Sequence, residues 1–484
     1  MRDKRKQKKR SAKQLINMKV GLRPIVNKVN LPTVLKTAIL PGDSIERLFI
    51  ATQVGEIFYI GNSDLRVFLD IRKRILKLGD SSGGYDERGL IGLAFHPQFY
   101  YNGLFYLHYS VAGTQGPGAL PESYNPNPCD LNTLNLKWKN RESQYDHIDT
   151  IEEWVLQSNG HPKKRRTLLN LRRPFSNHNG VNSLNFSPET GKLVLTTGDG
   201  GSGYDPFNLS QDDLEIAGKI IEIDISKNTY LNNPPIVTRF TELPITIQET
   251  LSVMAKGVRN IPGISFQRYK NQFIKYTGNV GQDLVESVFS FVHYKPIPVT
   301  QLIKATSMNT ILEKEGYINF GWRGWEGNFP TSIVKNCSSN PALSEKTTAF
   351  YNEAITLSKS RLQPLTSYYH KDNRPDKIEG TALTGVQAYM GRSIPGLTGS
   401  VVFIDLAQKG SHSQVKGALA YTFVKPNAQP NDYHVIQTNY HFGSEPAFFV
   451  NLGTNLNQTR LYLGVYRSMK VSDFNQGTIF EIVP

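Results

Sequence analysis

The sequence predicts an all-β protein, a β-propeller with long loop insertions, and three observations carry that expectation. An apolar strand, a short turn and a second apolar strand ending in small residues recur along the chain. Within each copy apolar residues alternate with others at a period near two, which is strand rather than helix periodicity. The composition agrees: 23 Tyr and 24 Phe stand beside 40 Gly and 27 Pro, a mix that favours short strands and tight turns.

The copies are Leu48–Ile60, Leu93–Ser110, Leu184–Gly201, Ile264–Gly281 and, more weakly, Phe448–Tyr466. In the third, Leu193, Leu195 and Thr197 point one way while Val194 and Thr196 point the other, and SPETGK supplies the turn. Hairpins repeated at irregular spacing, separated by long insertions, are how a propeller reads. A β-sandwich is the alternative, but it rarely needs so many long insertions. The insertions are 114–147 and 328–350, both rich in loop formers, and 229–250, which contains NNPPIV and suits an extended excursion. No linker divides the chain, so its 484 residues read as one decorated domain.

Half of the net charge of +14 sits at one end, where residues 1–13 hold eight basic residues and one acid. Residues 1–30 are therefore expected to be a basic, disordered tail and 31–484 the propeller domain. Nucleic-acid binding rests on that tail alone and is not the favoured reading. The stretch after Lys13, QLINMKVGLRPIV, is interrupted by Lys19 and Arg23, so no signal peptide is expected. No run reaches the roughly 18 apolar residues of a membrane span. Cys129 and Cys337 are the only cysteines, too few for a disulfide scaffold or a zinc site; whether they pair is left open.

Six segments, in order, resemble the glucose/sorbosone dehydrogenase family. They are DERGLIGLAFHPQF (Asp86–Phe99), the stretch from NHNG to SQD (Asn177–Asp212), KGVRNIPGISF (Lys256–Phe266), GNVGQDLVESV (Gly278–Val288), INFGWRGWEG (Ile318–Gly327) and the stretch from ALTG to FIDL (Ala382–Leu406). Together they span most of residues 40–484. The resemblance implies a six-bladed β-propeller. It also implies an oxidoreductase dependent on pyrroloquinoline quinone (PQQ) and calcium, which passes hydride from C1 of an aldose or related polyol to the quinone. A sugar substrate and an external electron acceptor follow as partners. Family precedent points outside the cytoplasm.

The site residues follow from the same resemblance. His178, in SNHNG, matches the base that takes the hydroxyl proton, a task suited to a group titrating near neutrality. By itself a lone His in a polar loop is an ordinary structural residue. Arg259 and Asn260 match a pair that lies against the cofactor, where a fixed guanidinium stabilises charge developing on a quinone oxygen. Asn179, Gly281 and Lys409 are further cofactor contacts. Gly281, Gln282 and Glu286 match a calcium loop of carbonyl and carboxylate oxygens. Alone, Asp283 and Glu286 read as solvated loop acids. The run Gly198–Asn208 reads as a tight turn, with Asp199 and Asp205 as candidates for a structural ion.

Two departures bear on function. Glu87 stands where the family usually has Gln, so a carboxylate would face the three carboxylates of PQQ unless Arg88 or Arg259 pairs with it. The late arginines of the best-known glucose dehydrogenases are absent from HFGSEPAFF (His441–Phe449). The ERGL run (Glu87–Leu90) also resembles the hedgehog-interacting branch, which implies the alternative of a non-catalytic propeller that binds a glycan or protein partner.

Overall fold

The computed structural model describes residues 18–62, 64–79, 84–113, 136–227, 234–292, 295–308, 318–331, 361–372, 374–408, 415–424 and 432–484. It is mostly β, with 46% strand and 6% helix, and propeller-like. Among the described residues most strands fall into six antiparallel units of four, some of them joined or extended by further strands into larger sheets. The first is Pro32–Ile39, Glu46–Thr52, Glu56–Ile60 and Leu65–Asp70. The second is Leu90–Phe95, Leu104–Ala112, His147–Leu156 and Pro162–Arg173. The third is Leu184–Phe186, Leu193–Thr196, Ile220–Ile223 and Leu251–Lys256. The fourth is Ile264–Tyr269, Gln272–Asn279, Val285–Val292 and Thr366–Tyr369. The fifth is Leu383–Tyr389, Ser400–Asp405, Ala418–Phe423 and His434–Thr438. The sixth joins Phe448–Thr454, Leu461–Tyr466 and Gly477–Val483 to Lys19–Val29 from the other end of the chain.

The three strongest repeats, Leu48–Ile60, Leu93–Ser110 and Leu184–Gly201, fall in different units, as their spacing implies. Strand alternation sends successive side chains to opposite faces, and here both faces are buried. Leu193 and Leu195 pack between units two and three with Leu168, Leu169 and Ile151. Val194 packs between units three and four with Ile264, Phe289 and Phe291. Similar clusters separate units one and two, four and five, and five and six. A smaller one, including Val29, Ile479, Leu35 and Ile50, lies between units six and one. The first strands of successive units touch in order, and that of unit six touches that of unit one.

The boundary expected at residue 30 needs correction. Lys19–Val29 is a strand, paired from Gly21↔Val483 to Val29↔Gly477. Val20, Leu22 and Val29 are buried, while Lys19, Arg23 and Lys28 lie on its exposed positions. The strand has charges because it is an outer strand, and those charges give it the composition of a tail. Residues 1–17, Cys129, Cys337 and most of the insertions 114–147 and 328–350 lie outside the described residues. The 229–250 insertion is less of an excursion than expected. Ile236–Val237 pairs with the last strand of unit two, and Phe240, Leu243 and Ile247 enter the core between units two and three.

Candidate functional site

A cavity of about 380 Å³ opens at the starts of the first strands, where Leu31–Thr33, Ile261–Pro262 and Leu383–Thr384 approach one another. That volume lies in the range of small-molecule sites, roughly 300–1,000 Å³. Of the expected residues, Glu87, His178, Arg259, Asn260, Gly281 and Gln282 all line it. They come from connections between strands that are distant in sequence, and the packing of the units brings them together.

His178 sits in a loop before the third unit with φ 59°, a left-handed conformation that non-glycine residues hold only under local constraint. Three contacts impose it. Its N–H donates to Glu87 Oε2 at 2.7 Å, and its carbonyl accepts from Arg173 Nη2 at 3.0 Å. Its Nδ1 lies 2.8 Å from Asp199 Oδ1. Asp199 Oδ1 also accepts from Gly201 N–H, and its Oδ2 accepts from Trp322 Nε1–H at 2.7 Å. Faced with donors only, the Asp199 carboxylate takes the Nδ1 proton as a hydrogen bond and leaves Nε2 as the basic nitrogen. His178 is 5% exposed, and that exposure is to the cavity. Sequence reasoning offers Asp199 only as a candidate ion ligand and misses its contact with His178. The signal available for it is an acid just after the hairpin that follows the SNHNG loop.

The glycine before Asp199 is required by the same approach. A Cβ on Gly198 would lie 1.7 Å from the His178 carbonyl oxygen. The Asp199 N–H donates to the Arg259 carbonyl at 2.8 Å, which ties the His178 loop to the next wall of the cavity. The Arg259 side chain stacks over Trp322 at 5.4 Å and commits three of its five N–H donors, two to Gln282 Oε1 and one to the Val280 carbonyl. The other two are available to a ligand.

Glu87 is held in place without a cationic partner among the described residues. Its Oε2 accepts from His178 N–H and, at 3.4 Å, from Asn260 Nδ2; Tyr85 Oη donates to its Oε1 at 3.0 Å. Neither of the two arginines expected to neutralise it does so. Arg88 pairs with Asp86 at 2.8 Å and Asp146 at 3.0 Å in a buried cluster, and Arg259 is turned to Gln282.

Glu286 and Asn179 are not brought to the cavity. Glu286 is fully buried and joins units four and five. It accepts from Gly281 N–H, from Leu383 N–H at 3.0 Å and from His370 Nε2 at 2.7 Å. Its oxygens are occupied, which does not suit a calcium ligand. Asn179 is 1% exposed behind His178, where its Oδ1 meets His147 Nε2 and Arg173 Nε. Asp205 caps the turn after it through Leu209 N–H and Ser210 N–H, and burial together with the nearby Asp199 charge pushes its pKa up to about 6. Among the described residues no group of three or more His, Cys, Asp or Glu is arranged to hold a metal. Lys409 lies outside the described residues.

The family model described as Glucose / Sorbosone dehydrogenase matches residues 36–294. Among curated proteins, the HIPL1 protein of Arabidopsis thaliana is 25% identical over 397 residues, covering 76% of this chain and 50% of its own length. The hedgehog-interacting protein of Mus musculus is 27% identical over 206 residues, 41% of this chain and 25% of its own. The chain thus spans about half or less of the length of these relatives. Among solved structures, the PQQ-bound aldose sugar dehydrogenase of Streptomyces coelicolor superposes with TM-score 0.53 at 16% identity, covering 96% of this chain and 97% of that one. The apo soluble aldose sugar dehydrogenase of Escherichia coli gives 0.55 at 13%, covering 96% and 99%. At these identities the likeness is one of fold.

Proposed function

The chain belongs to the glucose/sorbosone dehydrogenase family, and from that premise we propose that it is an oxidoreductase acting on an aldose or related polyol. The observation that carries this reading is the His178–Asp199 pair, with Nδ1 engaged and the other ring nitrogen at the cavity. His178 Nε2 takes the proton of the hydroxyl being oxidised, and Asp199 holds the ring in the required tautomer and stabilises the imidazolium that forms. Arg259, with two donors uncommitted, stabilises oxygen-centred negative charge from the adjacent wall of the cavity. The fold reading goes with it. The six units are the blades of one closed six-bladed propeller over residues 19–484, supported by the order of the first strands and the cluster between units six and one.

PQQ fits the cavity in volume and at its Arg259 wall, and Glu87 is the residue that opposes it. Arg259, Asn260 and the Gly281 backbone are the groups that would hold it; Lys409, three residues beyond the lining residue Leu406, is proposed as a second cation. When bound, PQQ supplies the two-electron acceptor for the hydride leaving the carbinol carbon, to be regenerated by an external electron acceptor. Of the residues expected to hold calcium, Glu286 is committed to three protein donors, so Gly281 and Gln282, at the cavity, are the ones left that would hold the ion.

The second reading is a propeller that binds a glycan or protein partner without redox chemistry. Glu87 favours it. Its carboxylate is anchored at the cavity, where Asp86 is the other acid and Arg259 the one Lys or Arg among the described lining residues. Such a surface suits a neutral, hydroxyl-rich ligand better than a tricarboxylate. Titrating PQQ into the protein, with and without calcium, while following quinone absorbance and dye-linked oxidation of a panel of aldoses separates the two. A spectral shift with sugar-dependent dye reduction supports the oxidoreductase. Failure of both wild type and Glu87→Gln to bind PQQ leaves only the binding propeller.

A further inference from the structure

The first strands have a second end, and a second cavity of about 310 Å³ lies there. In unit one, Leu31–Thr33 line the first cavity and Leu35–Thr37 the second. In unit five, Leu383 and Thr384 line the first and Gln387 the second. In unit six, the residues are Val450 and then Thr454. The two cavities therefore occupy opposite ends of the same strands, and their chemistry differs. The described lining of the first includes Asp86 and Glu87 against Arg259. That of the second has Lys36 and Arg268 and no acid, among amides that include Asn182, Asn185, Gln387 and Gln458.

Lys36 is half-buried on the first strand of unit one. Its Nζ donates to the Leu184 carbonyl and lies 3.5 Å from Asn185 Oδ1; no described carboxylate forms an ion pair with it. Burial of an ammonium without a counter-charge is costly, and proteins usually neutralise or pair such a group. Here burial alone pushes its pKa down to about 7. A lysine kept in that state at a cavity wall is available for an anion that would restore its full charge. Arg268 is exposed at the same rim with no described ion-pair partner. Asn182, Asn185, Gln387 and Gln458 put amide side chains beside these two cations.

We propose that this second cavity binds a small hydroxylated anion, a sugar carboxylate or sugar phosphate, with Lys36 and Arg268 facing the anionic group and the amide side chains facing its hydroxyls. The volume is at the lower end of small-molecule sites, roughly 300–1,000 Å³, which suits one six-carbon unit. The inference stands apart from the oxidoreductase reading, since it uses neither His178 nor a cofactor.

The test is calorimetric titration of the full chain with gluconate, glucose 6-phosphate and inorganic phosphate, with glucose as the neutral control, on wild type, Lys36→Met and Arg268→Gln. Saturable binding of gluconate or glucose 6-phosphate that both variants weaken is expected, whereas any binding of glucose, which belongs to the first cavity, should be the same in wild type and both variants. Lys36→Met should weaken the anion at least about tenfold and Arg268→Gln several-fold. Preference between the two sugar anions identifies the source, and phosphate binding alone would show that the hydroxyls are not read and overturn the sugar part. Lys36→Met should keep or raise Tm, because it removes a buried charge; a latch between units one and three would instead lose Tm. If Lys36→Met does not fold, Arg268→Gln decides, since it alters an exposed side chain. No saturable binding of any probe up to about 10 mM, or affinity unchanged in Arg268→Gln, overturns the proposal.

Discussion

His178 Nδ1 and Asp199 Oδ1 lie 2.8 Å apart, 21 residues apart in sequence, and each is pinned by further groups. The His178 backbone is gripped by Glu87 and Arg173, and Asp199 by Trp322 and Gly201. An imidazole so oriented presents one nitrogen to the cavity in a fixed direction, as a general base must.

His178→Ala should therefore lower dye-linked sugar oxidation by about 10²–10⁴-fold while leaving PQQ binding mostly intact. Asp199→Asn should also reduce the rate, because an amide can offer an N–H to Nδ1 and favour the other tautomer. Rates in both variants close to that of wild type would remove the pair from the chemistry.

Glu87→Gln keeps an oxygen for the His178 N–H and removes the charge. If the cavity takes PQQ, relief of a partly buried like-charge contact should tighten it by about one to three kcal/mol, some tenfold to hundredfold in Kd. The measurement is the absorbance titration, with Tm as a control for the retained hydrogen bond. Weaker binding in the variant would mean that the carboxylate helps to hold the cofactor.

Gly198→Ala places a methyl 1.7 Å from the His178 carbonyl oxygen, which is backbone and cannot swing aside. A destabilisation of about 3 kcal/mol is expected, with loss of activity in whatever fraction still folds. Circular dichroism melts against wild type check it; an unchanged Tm would mean that the His178 loop is softer than its contacts imply.

His370 gives a pH signature. Burial opposes its protonation, but the hydrogen bond to Glu286 and its charge outweigh that and raise its pKa. A histidine raised in the folded state contributes stability fully present below its unfolded value, about 6.5, and lost as pH rises through its folded value. The Tm advantage of wild type over His370→Gln should thus be largest near about pH 5.5 and shrink towards about pH 9. A gap that widens with pH would contradict the ion pair.

Truncation separates strand from tail. Removing residues 1–17 should change Tm by no more than about 2 °C, whereas removing residues 1–29 strips the outer strand of unit six and the buried Val20, Leu22 and Val29. That loss should cost more than about 5 kcal/mol and lower Tm by 10 °C or more. Equal effects of the two deletions would contradict the pairing with Gly477–Val483.

Five of the six unit hairpins are legible in the amino-acid sequence alone, because period-two alternation is local and each hairpin closes within about twenty residues. The hairpin of unit five, Leu383–Tyr389 with Ser400–Asp405, carries a family likeness but does not stand out as a repeat; its turn contains ten residues and a 3₁₀ segment, which blurs the spacing. Lys19–Val29 is hidden by its charges, since only partners more than about 400 positions away make it a strand: it pairs with Gly477–Val483 and His434–Thr438, and Arg23 meets Glu481 there.

The site divides in the same way. The chain itself specifies which residue types are available and that His178, Arg259, Asn260 and Gly281 sit in turns between strands. Tertiary structure alone decides that Asp199 serves His178, that Glu87 grips the His178 backbone across 91 positions, and that Glu286 is consumed between two units. Alternation and turn chemistry act over a few residues and can be read directly. Which acid meets which base depends on how the strand units pack against one another, and that is set by the summed burial of their faces rather than by any local pattern.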